Sequence, residues 1–123
     1  VNDPIQSMIT CIVGAAEEKK AERITSYAIS NPNAIMEAIV MMSVSNVIHC
    51  RSLVSDLSSV IEQKASEWKV TDFYDTVRVS GNYNAGWVIL DCNSILVHVV
   101  TEPIRDRYEL DAFFEKHGVV YHY

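Results

Sequence analysis

Cysteine is scarce in this chain, and the three present, Cys11, Cys50 and Cys92, form no Cys-x-x-Cys pair. An odd, widely spaced set excludes both a secreted disulfide framework and the paired ligands of a zinc site, and it points to a reducing, cytoplasmic setting. Lysine and arginine are also few, ten against sixteen acidic residues, for a net charge of -6 and a pI near 5.1. Phosphate contacts need clustered cations, so a dedicated, sequence-specific nucleic-acid binder is not expected; an acidic surface favours a basic protein partner. No apolar run is long enough to span a membrane, and no charged-then-apolar export signal opens the sequence at Val1. Only four glycines occur, and none builds a P-loop, a dinucleotide fingerprint or a Gly-x-Ser-x-Gly elbow.

What is present suits one small domain. With 123 residues, 49% of them hydrophobic, the chain can bury roughly two-thirds of its unfolded surface and has no room for a second core. Asp3-Pro4-Ile5-Gln6 reads as a helix start, with an N-cap carboxylate and a proline in the first turn. Ile5, Met8, Ile9, Ile12 and Val13 follow at helical spacing, and the run Glu17-Glu18-Lys19-Lys20 closes that helix. Ile24 to Ile29 reads as a short strand, Asn31-Pro32-Asn33 as a turn, and Ala38 to Met42 as a buried strand. Val47, Cys50, Val54, Leu57, Ile61, Ala65 and Trp68 then line one face of a second helix, capped by Ser45 or Asn46.

Thr71 to Val79 reads as an edge strand and Gly81 to Gly86 as a loop. A hairpin follows. Trp87 to Asp91 and Ser94 to Val100 are strand-like, and a two-residue turn at Cys92-Asn93 sets Trp87 directly across from His98. Trp87, Ile89, Asp91, Leu96 and His98 share one face of this hairpin, and Val88, Leu90, Val97 and Val99 share the other. Thr101-Glu102-Pro103 starts another helix, and Gly118 ends the last one after Leu110 to Lys116. The pattern predicts an α/β domain, a mixed sheet with a C-terminal hairpin flanked by helices.

The stretch from Trp87 to Asp111 carries a specific likeness. Trp87, Leu90 and Asp91, then Val97 and His98, then Arg105, Tyr108 and Leu110 match the Trp-x-x-Leu-Asp, Val-His and Arg-x-x-Tyr-x-Leu motifs of the ribosome silencing factor, or Iojap-like, family. Lys20-Ala21-Glu22-Arg23-Ile24 resembles that family's Lys-Ala-x-x-Ile, Gly81 falls on the glycine of its Glu-Gly pair, and Asp111 stands on an acidic position. The resemblance covers roughly residues 17 to 114. It implies a nucleotidyltransferase-like fold that acts by binding: docking on the large ribosomal subunit at its fourteenth ribosomal protein, so that subunit joining is blocked and translation repressed. A part in large-subunit maturation is implied as well. Four positions depart from the pattern. Val44 replaces a glycine, Ala38 an aromatic, Ser80 the glutamate before Gly81, and Phe114 a tryptophan.

On this reading Trp87, Asp91, Arg105, Tyr108, Asp111 and Phe114 lie near the partner contact, while His98, Leu110 and Gly81 support it. Several of these have a plainer alternative. Trp87 also suits a core position opening a strand, His98 a hydrogen-bonded core histidine, and Asp91 a turn-ordering carboxylate. Arg105 and Glu109 have the spacing of a helix-surface ion pair, and Leu110 and Phe114 that of ordinary helix packing. No catalytic residue, metal or cofactor is expected. His49, His98, Cys50 and Cys92 lack zinc-site spacing, and neither Asp72 with Asp75 nor Asp106 with Asp111 forms the Asp-x-Asp of nucleotidyl transfer. Two rival readings remain open: a nucleotidyltransferase-like enzyme retaining nucleotide binding, and a homodimeric scaffold using the hairpin as its self-interface.

Overall fold

The computed structural model describes residues 3–30, 33–34 and 36–123. Asp3 caps the first helix, α1 (Pro4–Glu18), by accepting the Ile5 N–H at 3.0 Å, and Pro4 occupies the first turn. The helix buries Met8, Ile9, Ile12, Val13 and Ala16, the stripe its spacing anticipates, and Gly14 does not interrupt it. Of the expected turn at Asn31-Pro32-Asn33, only Asn33 lies among the described residues, and it is in a turn.

Two strands follow, β1 (Glu22–Ile29) and β2 (Ala38–Val44), and then the long helix α2 (Val47–Trp68). Asn46, not Ser45, supplies the cap: its side-chain oxygen accepts the His49 N–H at 2.8 Å. His49 reciprocates, taking the Ser45 N–H on Nδ1 at 3.0 Å, so its Nε2 carries the proton that reaches the Lys19 carbonyl at 2.7 Å. That bond ties the end of α1 to the start of α2.

The chain continues through β3 (Phe73–Asn82), β4 (Trp87–Asn93), β5 (Ile95–Thr101), α3 (Glu102–Arg107), α4 (Leu110–Glu115) and β6 (Gly118–His122). Among the described residues these strands form one mixed sheet in the order β3-β4-β5-β2-β1-β6, with β2 and β5 parallel and the other neighbours antiparallel. Helices α1 and α2 cover one face over a core that includes Met8, Ile12, Val40, Leu53, Leu57, Leu90 and Val97. On the other face, Leu110 and Phe114 from α4 pack with Tyr27, Ile39, Met41 and Val100. The cover there is incomplete.

The structure corrects the sequence reading at four places. The hairpin register pairs Trp87 with Val100 and Ile89 with His98, so Trp87 lies diagonal to His98 and the connection exceeds two residues. Because side chains alternate with a period of two, this even slip leaves both faces composed as expected. Asn93 takes a positive φ of 81°, which its short polar side chain tolerates. Gly81 is not in a loop but in β3, opposite Val88, with φ of 100°; a Cβ there would sit 2.4 Å from the Trp87 carbonyl oxygen. Gly118 does more than follow the last helix: it begins β6, where any side chain would strike the Ala28 carbonyl. Finally, Val44 needs no glycine-like conformation, since it lies buried in β2 beside Thr101.

A groove on the open face

The hairpin β4–β5 puts Trp87, Ile89, Leu96 and His98 on the incompletely covered face. Between α3 and α4 the helix breaks at Tyr108 and Glu109, the latter in the left-handed region at φ of 48°. This corner swings the Tyr108 ring to 5.6 Å from the Trp87 ring. Behind it, Phe114 stands 5.2 Å from His98 and 5.5 Å from Tyr27, and Phe113 packs edge-on against Phe114. The result is an open, almost wholly apolar groove of about 530 Å³, with Ile39 and Leu96 on its floor and Trp87, Tyr108 and Phe113 on its walls. Tyr108 and Phe113 are about half exposed, at 52% and 55%.

Trp87 is half-buried and spans both readings considered for it: one side packs against the second core cluster and the other borders the groove. His98 is buried, and its Nδ1 accepts the Trp87 indole N–H at 3.0 Å. Burial holds the imidazole pKa down to about 4, so the ring is neutral near pH 7. Asp91 orders its turn by accepting the Asn93 N–H at 2.9 Å. It sits four residues along β4 from Trp87, roughly 13 Å away, beyond the groove.

Arg105 is not the surface residue its spacing suggests. It is 1% exposed, and its partner is Asp111 rather than Glu109. Nε and Nη2 grip the two Asp111 oxygens at 2.9 and 2.7 Å; Nη1 donates to the Arg23 carbonyl and Ser43 hydroxyl, and Nη2 also reaches Thr25. One guanidinium thus ties α3 and α4 to β1 and β2, using the planar fork that a lysine lacks. Asp111 also accepts from the Tyr27 hydroxyl at 2.8 Å and from Arg23 at 3.0 Å. The Arg105 hydrogen bonds, helped by Tyr27, hold the Asp111 carboxyl down to about 2 against the opposing effect of burial, which itself pushes the Tyr27 phenol up to about 12. Arg23 completes the cluster with Glu102 and Asp106. Arg105 and Asp111 do not line the groove but tie α3 and α4, the helices that carry Tyr108, Leu110 and Phe113, to the sheet; Leu110 and Phe114, buried below 10%, belong to the groove's lining and packing.

Of the carboxylates weighed for metal binding, Asp106 and Asp111 are committed elsewhere, converging on Arg23. Among the described residues, no three His, Cys, Asp or Glu side chains are placed to share a metal ion. No helix among them is long and apolar enough to cross a membrane. Sequence reasoning missed Phe113, Leu96 and Ile39 as groove residues, and Tyr27 and Arg23 as members of the ionic cluster. Helix α4 spans only Leu110–Glu115, too short for its apolar residues to declare a periodic face. Tyr27 and Arg23 lie more than seventy residues from their partners.

Fold and site together define a small mixed α/β domain with one helix-covered face and one open aromatic face. A family model described as "Ribosomal silencing factor during starvation" matches residues 2–121, and the chain belongs to this family. It is 23% identical over 109 residues to the protein named ribosomal silencing factor RsfS from Halalkalibacterium halodurans, covering 89% of this chain and 86% of that one. Two solved structures share the fold. A Chromobacterium violaceum protein superposes with a TM-score of 0.69 at 19% identity, over 90% of this chain and 86% of its own. A Bacillus halodurans protein does so with 0.66 at 21% identity, over 88% and 93%.

Proposed function

We propose that this protein silences ribosomes by docking on the large subunit, at its fourteenth ribosomal protein, and covering ground that the small subunit must meet. The observation that carries the reading is the family match across nearly the whole chain. The groove supplies a physical means. Large aromatic side chains that enter or form pockets dominate interface energetics, and Trp87, Tyr108 and Phe113 offer such a surface at low conformational cost. The chain as a whole is acidic, with net charge -6, suiting a basic ribosomal partner.

The mechanism requires no bond making. Arg105, Asp111, Phe114, Leu110 and His98 hold the groove in shape, so little ordering cost falls on association. Trp87, Tyr108 and Phe113 touch the partner, and Asp91, at the far end of β4, contributes at most to a charged rim. Repression of translation follows from steric occlusion, in the cytoplasm, and the same docking suits a part in large-subunit maturation.

The test uses purified protein with large subunits from its own organism. Co-sedimentation at modest salt, weakening as salt rises, is expected. Light scattering then follows the joining of added small subunits, which saturating protein slows. Joining at an unchanged rate overturns the proposal. Calorimetry with ATP, CTP and magnesium separates it from a nucleotide-binding enzyme, which releases heat on mixing.

A further inference from the structure

His98 has two ring nitrogens and one settled bond. Among the described residues, the hydrogen bond from the Trp87 indole to Nδ1, at 3.0 Å, is the one its ring makes. An indole nitrogen only donates, so Nδ1 is the acceptor and the proton of the neutral ring sits on Nε2. That second N–H has no acceptor among the described residues. It is not sealed in the core either, since no buried side-chain nitrogen or oxygen among them lacks a hydrogen-bond partner. Nε2 therefore reaches the surface, although His98 is only 5% exposed, and the surface that His98 borders is the groove.

The rest of the lining offers nothing comparable. It contains no Asp, Glu, Lys or Arg, the Trp87 N–H is spent on His98, and the polar atoms of Tyr108 and His117 belong to exposed residues that water serves. A partner that fills the groove shuts water away from Nε2 and must supply an acceptor in its place, because a donor left bare by burial costs more than a hydrogen bond gains. The chemistry of that acceptor is narrow. Lysine and arginine carry donors alone and cannot accept from an N–H. A carboxylate would be desolvated among aromatic rings, and its remedy, protonating the imidazole, would set a second N–H against the Trp87 indole. A neutral oxygen remains, and a main-chain carbonyl brings one without burying a polar side chain.

We propose that His98 is a recognition residue of the groove, its Nε2–H taking a main-chain carbonyl from an uncharged, apolar loop of the large-subunit protein docked there. The cations of that partner then pair outside the groove. This inference rests on the ribosomal reading and gives His98 a second task besides holding Trp87.

Two substitutions separate the tasks. In His98→Asn the side-chain oxygen reaches the Nδ1 position and can still accept from Trp87, but no donor reaches the Nε2 position; in His98→Gln the longer amide brings a donor there. Co-sedimentation with large subunits is expected to weaken at least about tenfold for His98→Asn and less than about threefold for His98→Gln, with thermal melting confirming that both are folded. Equal binding by the two variants, or weaker binding by His98→Gln, overturns the proposal, the latter by leaving His98 only its hold on Trp87. Imaging of the unmodified chain on the large subunit needs no variant, and is expected to place a main-chain carbonyl about 3 Å from Nε2. A side-chain oxygen, a charged group or no acceptor at that place overturns the proposal and leaves the ribosomal reading intact. Absence of co-sedimentation by the unmodified chain overturns both.

Discussion

The indole N–H of Trp87 donates to Nδ1 of His98 across 3.0 Å. An indole nitrogen can only donate, so Nδ1 carries no proton and the ring hydrogen sits on Nε2. Protonating His98 would set one N–H against another. A groove wall and a buried titratable group are thereby coupled.

Stability should consequently depend on pH through His98. The unfolded chain takes up this proton near pH 6.5 and the folded chain only near 4. The contribution is therefore complete above 6.5, declines as pH falls through that window and levels off below 4, a loss on the order of 3 kcal/mol. Urea unfolding between about pH 7 and about pH 4 measures it. His98→Gln should flatten the dependence; an equal slope in that variant would assign it to other groups. Asp111 has the same sign in a lower window, its stabilisation being lost as pH falls from 3.8 through about 2.

Arg105→Met should cost about 3 to 5 kcal/mol, because it strands the Asp111 carboxylate without its principal partner. Arg105→Lys should recover little of this, since one ammonium cannot replace the bidentate grip on Asp111 together with the bonds to Arg23, Ser43 and Thr25. Thermal denaturation checks both. A loss below about 1 kcal/mol in the methionine variant would show the cluster to be dispensable.

Gly81→Ala should destabilise by about 1 to 3 kcal/mol, as it forces φ of 100° on an L side chain and drives Cβ against the Trp87 carbonyl. The strain falls where β4 begins, so tryptophan fluorescence should shift along with the melting temperature. Unchanged values for both would mean that β3 relaxes freely.

Tyr108→Ser and Phe113→Ser remove half-exposed rings and should each change folding stability by no more than about 1 kcal/mol. Affinity for the large subunit should nonetheless fall at least about tenfold in each. Trp87→Ala should lose more, but it also strips His98 of its donor. Full binding by both serine variants would move the contact away from the groove.

The elements were largely legible along the chain because their signals are local. Asp3-Pro4 and Asn46 announce helix starts through groups within three residues. Alternation in β4 and β5 separated the two faces correctly even though the pairing was misjudged by two residues, since an even slip conserves side-chain direction. The short strand β6 escaped notice because its neighbour, β1, is some ninety residues distant in sequence, and a five-residue apolar stretch after a helix carries no period of its own.

The site divides along the same line. The motifs grouped Trp87, His98, Arg105, Tyr108 and Asp111 as one set; the structure brings Trp87, His98 and Tyr108 into contact and joins Arg105 to Asp111 in a separate ionic cluster. Sequence by itself determined the helices, most strands, the polarity of each hairpin face and the family likeness, since capping, alternation and motif spacing act over a few residues. Only the tertiary structure decided that Arg105 turns inward, that Tyr108 and Phe113 stand outward around Trp87, and that β6 forms one edge of the sheet. Burial and ion pairing depend on which distant strands arrive beside a side chain, and the Arg105 fork closes only once Arg23, Thr25 and Ser43 have been brought to it.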